Sequence, residues 1–275
     1  MDTIDVIIPT LGGNKLFSTI SSINKGVLKP KKIICVYYGN INKIKYKKFK
    51  NLQFVKSKEK GQVVQRNLGF KYSKSKFILQ LDDDIVLNKN CLSKLIKAKK
   101  KLPDNAFLAP IILDNEGNSF YTNESKSNIL LNFYKYFICA APFGEKKIGK
   151  FTSLTLCYGV NKQIKNSFFK CTWLPGGCIL FSRKYLKYKT DKFPFKGKAY
   201  CEDLFYSIKR SNLNLKHYVI KGALVKTFKN SDKFIFKNFI DEITIRYYLL
   251  KILKGSKIRF FIWVIFEFFI RNFIK

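Results

Sequence analysis

The sequence predicts an α/β fold, a mostly parallel β-sheet flanked by helices. Three observations carry that prediction. Short β-rich apolar runs alternate with helical stretches through the N-terminal part of the chain. Those runs are apolar almost continuously rather than at every second position, as expected of strands covered on both faces. One of them, Phe77-Ile78-Leu79-Gln80-Leu81, ends in Asp82-Asp83-Asp84, and open α/β sheets gather their ligands beyond the C-terminal ends of the strands.

The elements follow in order. Ile4-Asp5-Val6-Ile7-Ile8-Pro9-Thr10 is a short strand stopped by proline. Gly12-Gly13-Asn14 makes a loop, and Leu16, Thr19, Ile20 and Ile23 recur at helical spacing up to Gly26. Lys32 to Tyr38 is a second buried strand and Leu52-Gln53-Phe54-Val55 a short third one. Gly61 to Tyr72 reads as a helix, followed by the strand that ends in the aspartates. Right-handed crossovers bring the loops after strands one, two and four to a single edge, the expected site. Cys91 to Lys101 is a basic helix, after which regularity fades; residues 114 to 170, rich in Asn, Ser, Lys and aromatics, are assigned only loosely. Trp173-Leu174-Pro175-Gly176-Gly177 reads as a turn entering the strand Cys178 to Phe181, and residues 202 to 212 as a helix. The expected organisation is one domain over residues 1–230, with halves 1–113 and 114–230, and a helical extension over 231–275.

Composition narrows the function. With 275 residues, 47% of them apolar, there is ample material for a core. Lys+Arg 53 against Asp+Glu 18 leaves a formal charge of +35, which attracts polyanions: nucleic acid, anionic lipid headgroups or phosphorylated substrates. The seven cysteines form no C-x-x-C pair and there is a single histidine, which argues against a structural zinc site. Met1-Asp2-Thr3 leads straight into a strand, so the expectation is no signal peptide and a reducing, cytoplasmic location.

The segment from Ile258 to Lys275 differs in kind. It is mostly large apolar residues, with Arg259, Glu267, Arg271 and Lys275 at four-residue spacing as one narrow polar stripe. Glu267 and Arg271 are also a favourable i,i+4 pair. Such a helix is too short and too charged for an ordinary bilayer span. It fits a helix lying in the membrane interface, helped by surrounding lysines; the alternative is packing into the core or against a second subunit, as in a homo-oligomer.

Three consecutive carboxylates repel one another and are expensive to hold together without a cation. Hard oxygen ligands on a strand end suit Mg²⁺ or Mn²⁺, which also bind substrate phosphates. Three further features converge with them. Gly61-Gln62-Val63-Val64-Gln65-Arg66-Asn67-Leu68-Gly69 opens a helix whose N-terminus and arginine can both meet a pyrophosphate. Pro175-Gly176-Gly177 lets backbone approach a ligand closely. Cys201-Glu202-Asp203-Leu204 opens a helix whose positive end stabilises carboxylates. Each is individually weak; together they describe a metal, a phosphate cradle and a spare carboxylate.

This combination resembles the family 2 glycosyltransferases with the GT-A fold. The matching residues are Val6 to Thr10, Gly61 with Arg66-Asn67-Leu68-Gly69, Leu81 to Asp84, Trp173 to Gly177 with Arg183, and Glu202-Asp203 with Arg210. The stretch from Glu242 to Leu253, with Arg246, looks like the helix that follows the catalytic part in this family. The resemblance implies a nucleotide-sugar donor, a divalent metal and inversion at the anomeric carbon. By position, it implies Pro9 and Thr10 beside the nucleotide, and Arg66 and Asn67 lining the donor pocket with Gly61. Asp82 would approach the ribose or the metal waters beside Asp83, and Asp84 would bind the metal. Trp173, Gly176 and Gly177 would shape the floor where donor and acceptor meet. Asp203 is the candidate base, with Glu202 positioning it or binding acceptor. Two departures stand out. Where the family usually carries an acid after strand two, this chain has Tyr37-Tyr38-Gly39-Asn40, so Tyr37 is the candidate to stack on the base. The family's late histidine is missing around Val225 to Phe228; the only histidine, His217, reads as structural.

The leading expectation is therefore a peripheral enzyme on the inner face of a membrane that glycosylates a glycan, polysaccharide or lipid-linked acceptor. A nucleotidyltransferase would want a Gly-rich phosphate loop after strand one, and Gly12-Gly13 is too meagre. A nucleic-acid-binding protein is suggested by the charge, but dispersed lysines, six arginines and no recognition motif count against it. A catalytically inactive membrane-binding relative is the other alternative; retention of Asp84 and Asp203 argues against it.

Overall fold

The computed structural model describes residues 3–119, 129–141, 148–188, 193–195, 198–227 and 234–273. Strand β1 (Ile4–Thr10) lies between β2 (Lys32–Tyr37) and β4 (Phe77–Leu81), and β3 (Leu52–Lys56) flanks β2. All three pairings are parallel, so the C-terminal ends of these strands share one edge, as expected. Helix α1 (Leu16–Asn24) covers one face of the sheet and α2 (Gln62–Tyr72) the other. The strands are apolar throughout because both faces are buried: Val6, Ile7 and Ile8 are all inaccessible.

Beyond β4 the sheet becomes mixed. Strand β5 (Ile85–Leu87) and helix α3 (Cys91–Lys101) follow the aspartates, then β6 (Ala106–Leu113). Helix α4 (Ile129–Phe137) and β7 (Phe168–Cys171) precede β8 (Cys178–Ser182), which runs antiparallel to both β4 and β6. Helix α5 (Glu202–Asn212) leads to β9 (Lys216–Thr227), parallel to β6 and antiparallel to β5 and β7. The order is β3-β2-β1-β4-β8-β6-β9-β5, with β7 beside β9. Strands β6 and β9 lie in stretches for which periodicity predicts nothing. Pro110 interrupts β6, where the register against β9 shifts, and Lys221-Gly222 interrupts β9; bulges are where a sheet accommodates proline.

A buried carboxylate ties this layer together. Asp5 accepts hydrogen bonds from Ser73 Oγ, Ser75 Oγ and the backbone N–H groups of Lys74 and Ser75, at 2.8–3.0 Å. It thereby fixes the turn from α2 into β4. Asp5→Ala strands four donors, three of them buried, and should lower stability by about 2–3 kcal/mol. Urea denaturation tests this, and an unchanged midpoint would contradict the role.

Two helices close the chain, α6 (Phe236–Ile252) and α7 (Lys257–Phe273). No described helix is long and apolar enough to cross a membrane. The inward stripe of α7 starts apolar, with Phe260 and Trp263 buried against Leu250 and Leu154. It finishes charged: Arg271 donates to Glu267 at 2.8 Å and to Glu242 of α6 at 2.9 Å. The Glu267 and Arg271 part of the predicted polar stripe is therefore turned toward α6, whereas Arg259 is exposed. Lys275 lies outside the described residues.

Candidate active site

The ends of β1 and β2 are tied by one side chain. Gln65 of α2 donates to Thr10 O at 2.8 Å and to Val36 O at 2.7 Å. Thr10 Oγ1 donates to Asp83 Oδ2 and accepts from Gly12 N, while Thr19 Oγ1 holds the Asp83 carbonyl at 2.9 Å. The end of the first strand and helix α1 thus grip the middle aspartate.

Asp82 is held from the other side. Gln62 Nε2 and Arg66 Nη2 both donate to Asp82 Oδ1 at 2.9 Å. Arg66 is 3% exposed, and its Nη1 donates to Glu202 Oε1 of α5, itself 6% exposed. One buried arginine therefore joins the aspartate run to the acidic start of α5, more than a hundred residues away in sequence. The loop entering β8 threads between them. Asp82 N donates to Gly177 O at 2.8 Å. A Cβ on Gly177 would lie 2.6 Å from Ile85 Cδ1 and 3.2 Å from Asp82 Oδ2; one on Gly176 would lie 3.1 Å from Glu202 Oε1 and 3.3 Å from Asp203 Cβ. A side chain at Gly177 would have to displace the tip of Ile85, and one at Gly176 would press on Glu202 and Asp203, so the two glycines let the loop approach closely.

The carboxylates differ in environment. Burial, then the Asp82 and Asp83 charges, push Asp84 above the usual carboxylate range. Burial also raises Asp83, with the Asp82 charge adding to it against the Thr10 hydrogen bond. Asp203, in the first turn of α5, is pushed up to about 6 by burial, despite hydrogen bonds from Leu204 N and the Gly176 backbone and the nearby Arg246 charge. Arg246 of α6 donates to Thr155 O at 2.7 Å, holding a residue whose φ of 66° is left-handed. Arg210, fully buried in the last turn of α5, is drawn down to about 10 by burial, against the Asp203 and Glu202 charges. It donates to Ser207 Oγ at 2.8 Å, and Ser207 in turn receives Leu174 N at 3.2 Å. Helix α5 is thereby fastened to the Trp173–Gly177 turn.

A cleft of about 660 Å³ opens at this edge, lined by Pro9, Thr10, Gly61, Asp82 and Asp83 among the residues singled out from sequence; such a volume suits a small-molecule ligand. Lys60 and Lys198 also line it. Neither stood out in the sequence, because a lysine among so many carries no signal before folding. Arg66 lies beneath the cleft, pinned to its two acids, and Asn67 is half-buried on α2 outside the lining. Tyr37 is 8% exposed and packs edge-on against Phe54, whereas Tyr38 is exposed. Trp173 is buried, with its Nε1 donating to Tyr158 O at 2.9 Å. His217 is buried in β9 against the Phe107 ring.

The donor set at the aspartate run fits a hard divalent ion. Asp82 already has a cation in Arg66, while Asp83 and Asp84 carry raised affinities for protons, which a metal would displace. Among the described residues no three His, Cys, Asp or Glu side chains converge into a cage. Mg²⁺-type sites use one or two carboxylates and complete their shell with substrate oxygens and water.

The model for Glycosyl transferase family 2 matches residues 38–187, more than half of the chain. The chain belongs to that family. The family 2 match includes the α2 motif, the aspartates and the Trp173–Gly177 turn, and stops short of Glu202 and Asp203, which tertiary contacts bring to the same edge. No curated protein gives a significant match. Among solved structures, the chain is similar to GalNAc-T7 crystallised with UDP, GalNAc and Mn²⁺: TM-score 0.58, 13% identity, 84% of this chain and 44% of that one. It is also similar to S. aureus TarS 1-349 in complex with UDP-GlcNAc: TM-score 0.57, 16% identity, 90% of this chain and 66% of that one. The chain spans less than two thirds of either structure, and at these identities the likeness is one of fold, the GT-A fold.

Proposed function

We propose that this protein is an inverting glycosyltransferase, carrying a sugar from a nucleotide-sugar donor to a hydroxyl of a glycan, polysaccharide or lipid-linked acceptor. The observation that carries the reading is the Asp82–Arg66–Glu202 bridge. It sets Asp203, a carboxylate raised toward neutrality, at the same edge as the aspartate cluster and its cleft. The two structurally similar proteins, crystallised with UDP or a UDP-sugar, support a uridine nucleotide as the first donor to test.

In this reading Pro9, Thr10 and Gly61 face the nucleoside, and Lys60 and Lys198 offer positive charge to the diphosphate. Asp84 and Asp82 would hold Mn²⁺ or Mg²⁺, whose charge when bound would neutralise the leaving diphosphate. Asp203 takes the proton of the acceptor hydroxyl as its oxygen bonds to the anomeric carbon. The bond from that carbon to the phosphate oxygen breaks on the opposite face, inverting the centre. Residues 1–113 form the donor half and 114–230 the acceptor half. The extension 231–275 holds the enzyme to the inner face of an anionic membrane, a role supported by the basic surface and the apolar α7.

Calorimetry with UDP, GDP and dTDP, with and without Mn²⁺, tests the donor site on wild type and Asp84→Ala. We expect Mn²⁺-dependent binding of one nucleotide, weakened at least about tenfold in the variant. Binding of none, or metal-independent binding indifferent to Asp84, would overturn the donor and metal assignments.

A further inference from the structure

Helix α7 is arranged opposite to a helix meant for water. Its acid and its last described arginine are spent on each other and on Glu242, while Phe261, Ile265, Phe266 and Phe269 are each about half exposed. Helix α4 adds to this face. Its Phe133 is 61% and Phe137 45% exposed, and their rings lie 4.3 Å apart at a tilt of 34°. The Tyr134 ring lies 5.3 Å from Phe266, so the two apolar faces adjoin. Most of the exposed large apolar side chains among the described residues sit on α4, α6 and α7. Monomeric soluble proteins rarely gather many large apolar side chains on one exposed face without a use for it.

Charge decides what covers it. Lys251, Lys254, Lys257 and Arg259, all exposed, rim the patch at the turn from α6 to α7. No acid occurs between Glu242 and Glu267, and both of those are committed to arginines within the chain. A second copy packed on the same face would bring to this basic rim only the same surface, in which the acids of α7 and Glu242 are already paired with arginines. An anionic bilayer instead offers negative headgroups to the rim and an apolar interior to the rings.

We propose that α4 and the outer face of α7 form one continuous surface that seats on an anionic bilayer. The acceptor half thus touches the membrane through a helix of its own. The inference deepens the membrane reading of the C-terminal extension and rests on it, but is independent of the donor chemistry.

The test is co-sedimentation of the full chain with vesicles of phosphatidylcholine, alone or mixed with about one third phosphatidylglycerol. Wild type should pellet with the mixed vesicles and much less with the neutral ones. Phe133→Ser/Phe137→Ser on α4 and Phe261→Ser/Ile265→Ser on α7 should each weaken binding at least tenfold, whereas Val27→Ser, an exposed site on another part of the surface, should not. As a second measurement, the indole introduced by Phe137→Trp should shift its emission to the blue on adding mixed vesicles. Wild-type pelleting by the α4 double variant, or unshifted emission, would remove α4 from the surface. Dimerisation without vesicle binding would assign the face to a second copy and overturn the proposal. Nucleotide calorimetry on the same variants separates the two readings: intact vesicle binding without nucleotide binding leaves this surface standing while the donor site fails.

Discussion

Asp203→Asn should abolish sugar transfer, lowering kcat by about 10³-fold or more, while donor binding changes by no more than about twofold. The asparagine keeps the shape and can still accept from Leu204 N, but it cannot take a proton from the acceptor. Because burial raises the Asp203 carboxyl to about 6, wild-type kcat/KM should climb as pH rises through about 6 and level off above it. The same shift has a stability sign. Between the ordinary aspartate range and about 6, the folded protein holds this proton more tightly than the unfolded chain, so stability falls as pH rises through that window. Asp203→Asn should therefore gain on the order of 3 kcal/mol at pH 8 and well under about 1 kcal/mol at pH 4. Thermal melts at the two pH values, run beside the kinetics, separate a base from a scaffold residue. Transfer that persists with donor binding lost would reassign Asp203 to the donor.

Arg66→Met should be the most damaging change to the fold of the site. It leaves Glu202 buried and Asp82 mostly buried, with no cation between them, and orphaned buried charges of this kind cost about 3–5 kcal/mol. For a chain of this size that is on the order of 10 °C in thermal midpoint. Adding Glu202→Gln to Arg66→Met should recover part of the loss, since one of the two stranded charges is then neutral. The double-mutant cycle measures the coupling directly. A single variant melting within about 2 °C of wild type would mean that the bridge contributes little.

The N-terminal half of the fold was legible because its signals are local. Phe77 to Leu81 is an unbroken apolar run, and the three carboxylates that end it mark where the sheet meets solvent. The helices at Cys91–Lys101 and Glu202–Asn212 show their periodicity within a few turns. Strands β6 and β9 were not legible. Pro110 and Lys221-Gly222 break the pattern that would announce a strand, and pairing within the sheet, across a bulge, is what makes each of them a strand.

The site divides the same way. Gly61, Asp82 and Asp83 could be singled out because they sit at the start of a helix or the end of a strand, and Pro9 and Thr10 through the family resemblance. Lys60 and Lys198 could not, being two among many lysines, and Arg66 was identified without its partners. An arginine on a helix is ordinarily a solvated face; that this one is buried between Asp82 and Glu202 depends on how α5 packs against α2. The C-terminal helix makes the point most plainly. Spacing alone identified the i,i+4 pair Glu267 and Arg271, while the direction in which it points was settled by Glu242 on a neighbouring helix. By itself the sequence determined the element types of the N-terminal half, the family resemblance and the chemistry available at the sheet edge, since these rest on residue type and near-neighbour spacing. Only the tertiary structure decided which charges neutralise one another and which aromatic faces remain uncovered, because both depend on contacts between segments far apart in the chain.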